Sequence, residues 1–253
     1  MAFIAIVLVL GCNIRAAATL RVSSDNGVTW TNIVDNSPTD AATNTGTISF
    51  FPDQIGLRGS FTAATDRSQS LVTLACLVVF SAGPLIVQYS DNDFVAGYGF
   101  FDSEVGGNSS DLALVTFKTY MDPANTLFSG TNLMNSGPMS VTFAKGTNSQ
   151  PVTLNLFSLT AELVITNAGG TQVNGTVQFV SPMSPTLQPD ISGDTVHLSF
   201  QTQAVFTYVL EYKNSLADTE WTPLQSIDGT DSMVTVDDST SGGQTRFYRV
   251  SVH

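Results

Sequence analysis

Four carboxylates crowd one stretch of this chain: Asp91, Asp93, Asp102 and Glu104, within "SDNDFVAGYGFFDSE". Side chains this rich in oxygen can hold a hard cation such as Ca²⁺, which takes roughly six to eight oxygen ligands. They can also supply the acid and base of glycoside hydrolysis, a pairing whose spacing is spatial and not sequential. Asp91 and Asp93 flank Asn92 directly after an apolar run. A loop there would present three oxygen-bearing side chains together, with Asp102 and Glu104 approaching from the next loop. The spacing lacks the glycine and terminal glutamate of an EF-hand, so the calcium reading is an irregular structural site. The other reading is solvated loop charge. The same stretch carries Phe94, Tyr98, Phe100 and Phe101 beside glycines. Exposed together, these rings would form a platform for stacking sugar rings; turned inward, they would plug the open end of a core.

Other reactive residue types are sparse. His197 alternates with Val196 and Leu198 in "TVHLSFQ", and His253 is the last residue. No nucleophile elbow, P-loop or dinucleotide fingerprint occurs. Cys76 lies within "LVTLACLVVF" and reads as an inert core thiol. No catalytic residue is assigned.

"SSDNGVTW", residues 23 to 30, has the spacing of the Asp-box, a β-hairpin motif that resembles the repeats of sialidase propellers. Gly27 would allow the tight turn, Asp25 would bond turn backbone and Trp30 would pack beneath. A sialidase would need several copies and a cluster of arginines for the substrate carboxylate. There is one copy, so the motif reads as a single hairpin with a tryptophan packed on it.

The elements that must position these residues are strands. Of 253 residues, 42% are apolar but only 12% are charged, so the surface is built from Ser, Thr, Asn, Gln and Gly. Lys and Glu are scarce, and Thr, Val, Ser and Phe take their place. Short β-rich runs recur at 45–51, 71–80, 84–91, 112–120, 139–146, 152–166 and 171–180, separated by Gly, Asn, Asp and Pro clusters. No sustained helical stripe interrupts them. The pattern predicts an all-β, antiparallel sandwich, jelly-roll-like or Ig-like, over 19–180. "SPMSPTLQPD" (181–190) reads as a proline-stiffened linker. Residues 191–253 read as a smaller β module with Phe206, Tyr208, Trp221, Phe247 and Tyr248 as core.

"MAFIAIVLVLG" has the length of a signal-peptide apolar region, and Ala16-x-Ala18 fits a cleavage site after Ala18. Residues 1–18 are therefore expected to leave, with no membrane span in the processed chain. "VLGC" also resembles a lipoprotein box with Cys12 as the anchored residue, and this alternative stands beside ordinary secretion. The formal charge of −12 argues against nucleic acid as a partner.

"VDNSPTDAATNTGTISF" followed by "LVVFSAGPLIVQYSDNDF" and "FSLTAELVIT" resembles exported bacterial β-sandwich proteins of the PEP-CTERM-associated type, although the sorting tail is absent. "YVLEYKNS…EWTPLQSI…FYRVSV" resembles a small fibronectin-III-like terminal module. The resemblance implies an extracytoplasmic protein, secreted or at the cell surface, and brings no functional residues. Two function classes follow. One is a non-catalytic exported protein with a structural, surface, adhesive or binding role. The other is a carbohydrate-binding module or glycan-acting hydrolase. Expected partners are extracellular polysaccharide or cell-surface components.

Overall fold

The computed structural model describes residues 17–54, 56–81, 83–95, 97–110, 112–167, 169–239 and 245–253. The expected leader, with Cys12, lies outside the described residues except for Ala17 and Ala18. Ala18, at the expected cleavage point, is buried, and its carbonyl accepts the Asp35 N–H at 3.0 Å.

The chain opens with β1 (Thr19–Ser23), β2 (Thr31–Val34), β3 (Thr47–Phe50), β4 (Asp53–Gln54), β5 (Leu57–Asp66), β6 (Leu71–Ser81) and β7 (Leu85–Val95). It continues through β8 (Tyr98–Asn108), β9 (Leu114–Asp122), β10 (Thr131–Asn135), β11 (Thr142–Asn148), β12 (Val152–Thr153), β13 (Leu156–Thr166) and β14 (Gly169–Val180). The C-terminal part holds β15 (Gln188–Ser192), β16 (Thr195–Gln201), β17 (Thr207–Lys213), β18 (Thr222–Asp228), β19 (Met233–Ser239) and β20 (Phe247–Val252). No helix occurs among the described residues, and so none is long and apolar enough to cross a membrane. The protein is all-β, with antiparallel sheets packed as sandwiches.

Strands β1 to β14 form two facing sheets. The six-stranded sheet has the order β10-β9-β13-β7-β1-β2. The eight-stranded sheet has the order β11-β8-β14-β6-β5-β3, with β12 on β8 and β4 on β5. From β6 to β9 the chain switches sheets at every connection, and it does so again between β13 and β14. The turn through Asn167 and Gly170, both at positive φ, therefore closes no hairpin; it carries the chain across the core.

Alternation decides what lies between the sheets. In "LVTLACLVVF", Val72, Leu74, Cys76 and Val78 are buried, while Leu77 and Val79 face out. Opposite them, β7 turns Leu85, Val87 and Tyr89 inward. Each fully buried aliphatic side chain contributes about 1.5–3 kcal/mol. Space is tight enough that the Phe117 ring occupies the place a side chain on Gly175 would need: an added Cβ would lie 2.4 Å from its Cε2.

The stretch read from sequence as loops is strand. "SDNDF" ends β7 and "YGFFDSE" begins β8. A register shift between Phe157 and Leu159, opposite Asn92 and Asp93, marks a bulge, and Asp93 takes the left-handed conformation, φ 61°.

Residues beyond the proline-rich segment form two three-stranded sheets, β15-β16-β19 and β18-β17-β20. Phe206 and Tyr208 are buried as expected, with Phe200 beside them, whereas Phe247 and Tyr248 are half-buried. Trp221 departs from expectation. It is half-buried, with Arg249 and Lys213 against its ring at 4.5 and 4.9 Å, because β17 turns Glu211 and Lys213 away from the core.

Candidate functional site

The expected cation site is not assembled. Asp91 and Asp93 lie on the six-stranded sheet, whereas Asp102 and Glu104 lie on β8 of the other. Asp91 is fully buried and paired with Arg67. Burial pushes its pKa up, and the Arg67 charge opposes that shift. Asp93 exchanges hydrogen bonds with Asn125: its N–H donates to Oδ1 at 2.8 Å, and Asn125 Nδ2 donates to its carboxylate at 2.6 Å. Asp102 has a raised pKa from burial and from neighbouring Glu104. Among the described residues no group of three or more His, Cys, Asp or Glu is placed to hold a metal ion.

The expected sugar platform packs inward. Phe94 and Phe101 are 1% exposed and form an aromatic cluster with Phe157 and Phe179. Phe100 and half-buried Tyr98 point the other way, yet both meet Phe206 of the C-terminal unit. Strand β8 has a layer on each face at this level, so its consecutive Phe100 and Phe101 are both buried.

A different constellation stands on the outer face of the six-stranded sheet, and the Asp-box builds half of it. Ser23 Oγ donates to Asp25 Oδ1 at 2.7 Å and accepts the Gly27 N–H at 2.8 Å. Asp25 accepts the Thr29 N–H at 2.9 Å and the Thr29 hydroxyl at 2.5 Å. Asn26 and Gly27 both adopt positive φ, which reverses the chain. The turn delivers Trp30 against the guanidinium of Arg21 on β1, 4.3 Å from carbon to ring centre. Phe128 approaches the same carbon at 3.9 Å.

Phe128 belongs to the β9–β10 connection, which is fastened down onto this face. Its N–H donates to Ser90 Oγ at 3.1 Å, Ser158 Oγ donates to the Thr126 carbonyl at 2.6 Å, and the Asp93–Asn125 exchange holds its start. Phe128 itself has φ 57°, a left-handed conformation rare for a bulky side chain. Asp93, singled out above as a cation ligand, instead anchors the loop that carries this ring.

From Arg21 a polar row crosses the sheet. Strand register places Asn32, Arg21, Gln88, Glu162, Lys118 and Asn135 side by side on consecutive strands β2, β1, β7, β13, β9 and β10. Arg21 Nε donates to Gln88 Oε1 at 2.5 Å, and Gln88 Nε2 donates to Glu162. Lys118 Nζ donates to the other Glu162 oxygen at 2.9 Å. That hydrogen bond leads the causes raising the Lys118 pKa. Partial burial lowers the Arg21 pKa, and the Glu162 charge opposes that shift. Arg21, Trp30, Gln88, Lys118, Tyr120 and Phe128 all remain half-buried and accessible. The arrangement has flat rings, a cation, amides and hydroxyls, and its carboxylate is already engaged. It suits recognition of an amphipathic ligand.

Sequence reasoning reached Trp30 but missed Arg21 and Phe128. The alternation of Leu20 and Val22 around Arg21 marked it as the outward residue of a strand. Nothing local to residue 128 pointed to residue 21. The opposite face of the sandwich carries an open hollow of about 630 Å³, lined by Glu104, Gly106, Ala144, Asn174 and Thr176. In the C-terminal unit His197 pairs with Asp237 at 2.6 Å, at the surface.

No family model matches the chain, and no curated protein matches it. Among solved structures, the adhesin domain of Epf from Streptococcus pyogenes aligns with a TM-score of 0.34 at 11% identity, covering 94% of this chain and 86% of that one. The glycoside hydrolase domain of Endo-D from Streptococcus pneumoniae aligns with a TM-score of 0.23 at 11% identity, over 81% of this chain and 36% of that one. Both likenesses are distant, and neither bears on function.

Proposed function

We propose that the chain is an exported, non-catalytic β-sandwich protein with an adhesive or binding role, and that it binds through the outer face of the six-stranded sheet. The observation that carries this reading is the Arg21 guanidinium flanked by Trp30 and Phe128 at the head of the Gln88–Glu162–Lys118 row. Half-buried aromatic rings beside polar groups are the composition of recognition surfaces. Carbohydrate is the favoured ligand class, because rings and hydrogen-bonding side chains occur together there. The division into a sandwich over 19–180, a linker over 181–190 and a smaller unit over 191–253 belongs to this proposal, as does removal of residues 1–18.

The test is a glycan array probed with residues 19–253, wild type and Trp30→Ala, with reducing-end release measured on every glycan that binds. Binding lost in the variant, without release of new ends, supports the reading. Turnover would move the protein to the glycan-acting hydrolases. Binding that Trp30→Ala leaves intact would place the ligand elsewhere.

A further inference from the structure

We propose that Arg21 is a carboxylate receptor, so that the ligand of this face is an acidic saccharide carrying a uronate group; this rests on reading the face as a binding surface.

The first argument is charge pairing. The chain has 21 acidic residues against 9 basic ones, so an arginine without a carboxylate is conspicuous; Lys145 and Lys213 bond backbone carbonyls instead. Among the described residues Arg58 pairs with Asp53, Arg67 with Asp91, Arg246 with Asp238 and Arg249 with Glu211. Arg21 has only the Gln88 amide oxygen, bound through Nε. The carboxylate nearest along the row, Glu162, is bonded to Lys118 and the Gln88 amide. Neither Nη atom of Arg21 is hydrogen-bonded among the described residues. Two adjacent Nη donors form one side of the planar fork that binds a carboxylate bidentately.

The second argument is preorganisation. The Trp30 and Phe128 rings and the Nε bond hold the guanidinium in place, so little rotamer freedom is left to lose on binding. One of those rings is set there by a backbone in the left-handed region at Phe128. Strain of this kind persists where the surroundings over-determine it, and it clusters at ligand sites.

The third argument selects the saccharide. Strands β1, β7, β13 and β9 are paired on both sides, so a peptide could add a strand only beyond the β2 or β10 edge and not over Arg21. Asn32 and Gln88 flank the cation on the two neighbouring strands, and Asn135 ends the row at the far edge of the sheet, so an extended, hydroxyl-rich chain can lie across the strands with one polar side chain on each. The formal charge of −12 disfavours a dense polyanion such as nucleic acid and fits a single carboxylate reading.

The experiment follows Trp30 fluorescence in a Trp221→Phe background. It titrates glucuronosyl-glucose and galacturonosyl-galactose against the matched neutral disaccharides, and acetate and a tripeptide as other carboxylate sources. The expected result is saturable binding of at least one uronate disaccharide, about tenfold or more tighter than its neutral partner, the scale of a lost charge-assisted hydrogen bond. Arg21→Lys should erase that preference while melting like wild type, since an ammonium cannot reproduce the fork; Arg21→Gln serves as the second variant. Equal affinity for acid and neutral sugars, unmoved by Arg21→Lys, would overturn the carboxylate assignment while the binding face stands. Acetate or tripeptide binding as tightly would overturn the saccharide class. No saturable response to any disaccharide also overturns the proposal, and the glycan array then decides separately whether the face binds at all.

Discussion

The rings of Phe100 on β8 and Phe206 in the C-terminal unit meet edge-on, with centroids 5.4 Å apart and planes at 61°. Tyr98 adds a second ring against Phe206 at 5.7 Å. The sandwich thus supplies part of the core in which Phe200 and Tyr208 are buried. Two three-stranded sheets enclose little core of their own and gain from such borrowing.

Phe100→Ala should accordingly destabilise the C-terminal unit, by about 3 kcal/mol, the low end for truncating a buried aromatic. Differential scanning calorimetry of the full chain should show the transition of that unit moving down, with the main sandwich transition little changed. A melt identical to wild type would mean the ring contact contributes nothing.

Asp91→Ala tests the fate of the acidic stretch. The substitution leaves the Arg67 guanidinium without its carboxylate inside the sandwich edge. Breaking a buried pair costs about 3–5 kcal/mol. Because Arg67 is a third exposed, the lower end of that range is expected. Thermal melting of wild type and variant in calcium and in chelator should give the same difference in both buffers. A loss that appears only with calcium present would restore these carboxylates as cation ligands.

The strands were legible wherever one face is buried and the other wet, as in "LVTLACLVVF", because alternation is then written directly into the residue types. It failed at "SDNDFVAGYGFF". There Asp91 is buried with an ion-pair partner, Phe100 is buried by a separate unit, and glycines imitate a loop. The Asp-box turn was readable because all its bonds close within residues 23 to 29. What it is for was not readable. Arg21, Trp30 and Phe128 come from three elements, and their meeting is a matter of sheet order that local spacing does not encode.

Gly175→Ala probes how tightly the two sheets close. The new methyl would sit on the Phe117 ring, which is buried and has no free direction in which to yield. Overpacking of this kind costs about 1–3 kcal/mol. A urea melt should show a lower midpoint with an unchanged slope. The paired variant Phe117→Leu with Gly175→Ala should recover part of the loss; if the double variant is no better than Gly175→Ala alone, the ring is not the obstacle.

The last prediction concerns the pH range over which the Arg21 site holds together. Asp25 is pulled down from 3.8 to about 2, first by the Thr29 hydroxyl, then by the Thr29 N–H and Ser23. A carboxylate whose folded pKa is depressed stabilises the fold above its unfolded value, and that contribution disappears as pH falls through the folded value. The window here runs from 3.8 down to about 2. Asp25 is at the surface, so the consequence is local: protonation releases Thr29, and Trp30, one residue on, loses its fixed position over Arg21. In a Trp221→Phe background the Trp30 emission should stay constant from neutral pH to the top of that window, then shift within it. Asp25→Ala should already show the shifted emission at neutral pH and no transition below. A wild-type midpoint near 4, or no change down to pH 2, would mean that the Asp-box does not hold Trp30 in place.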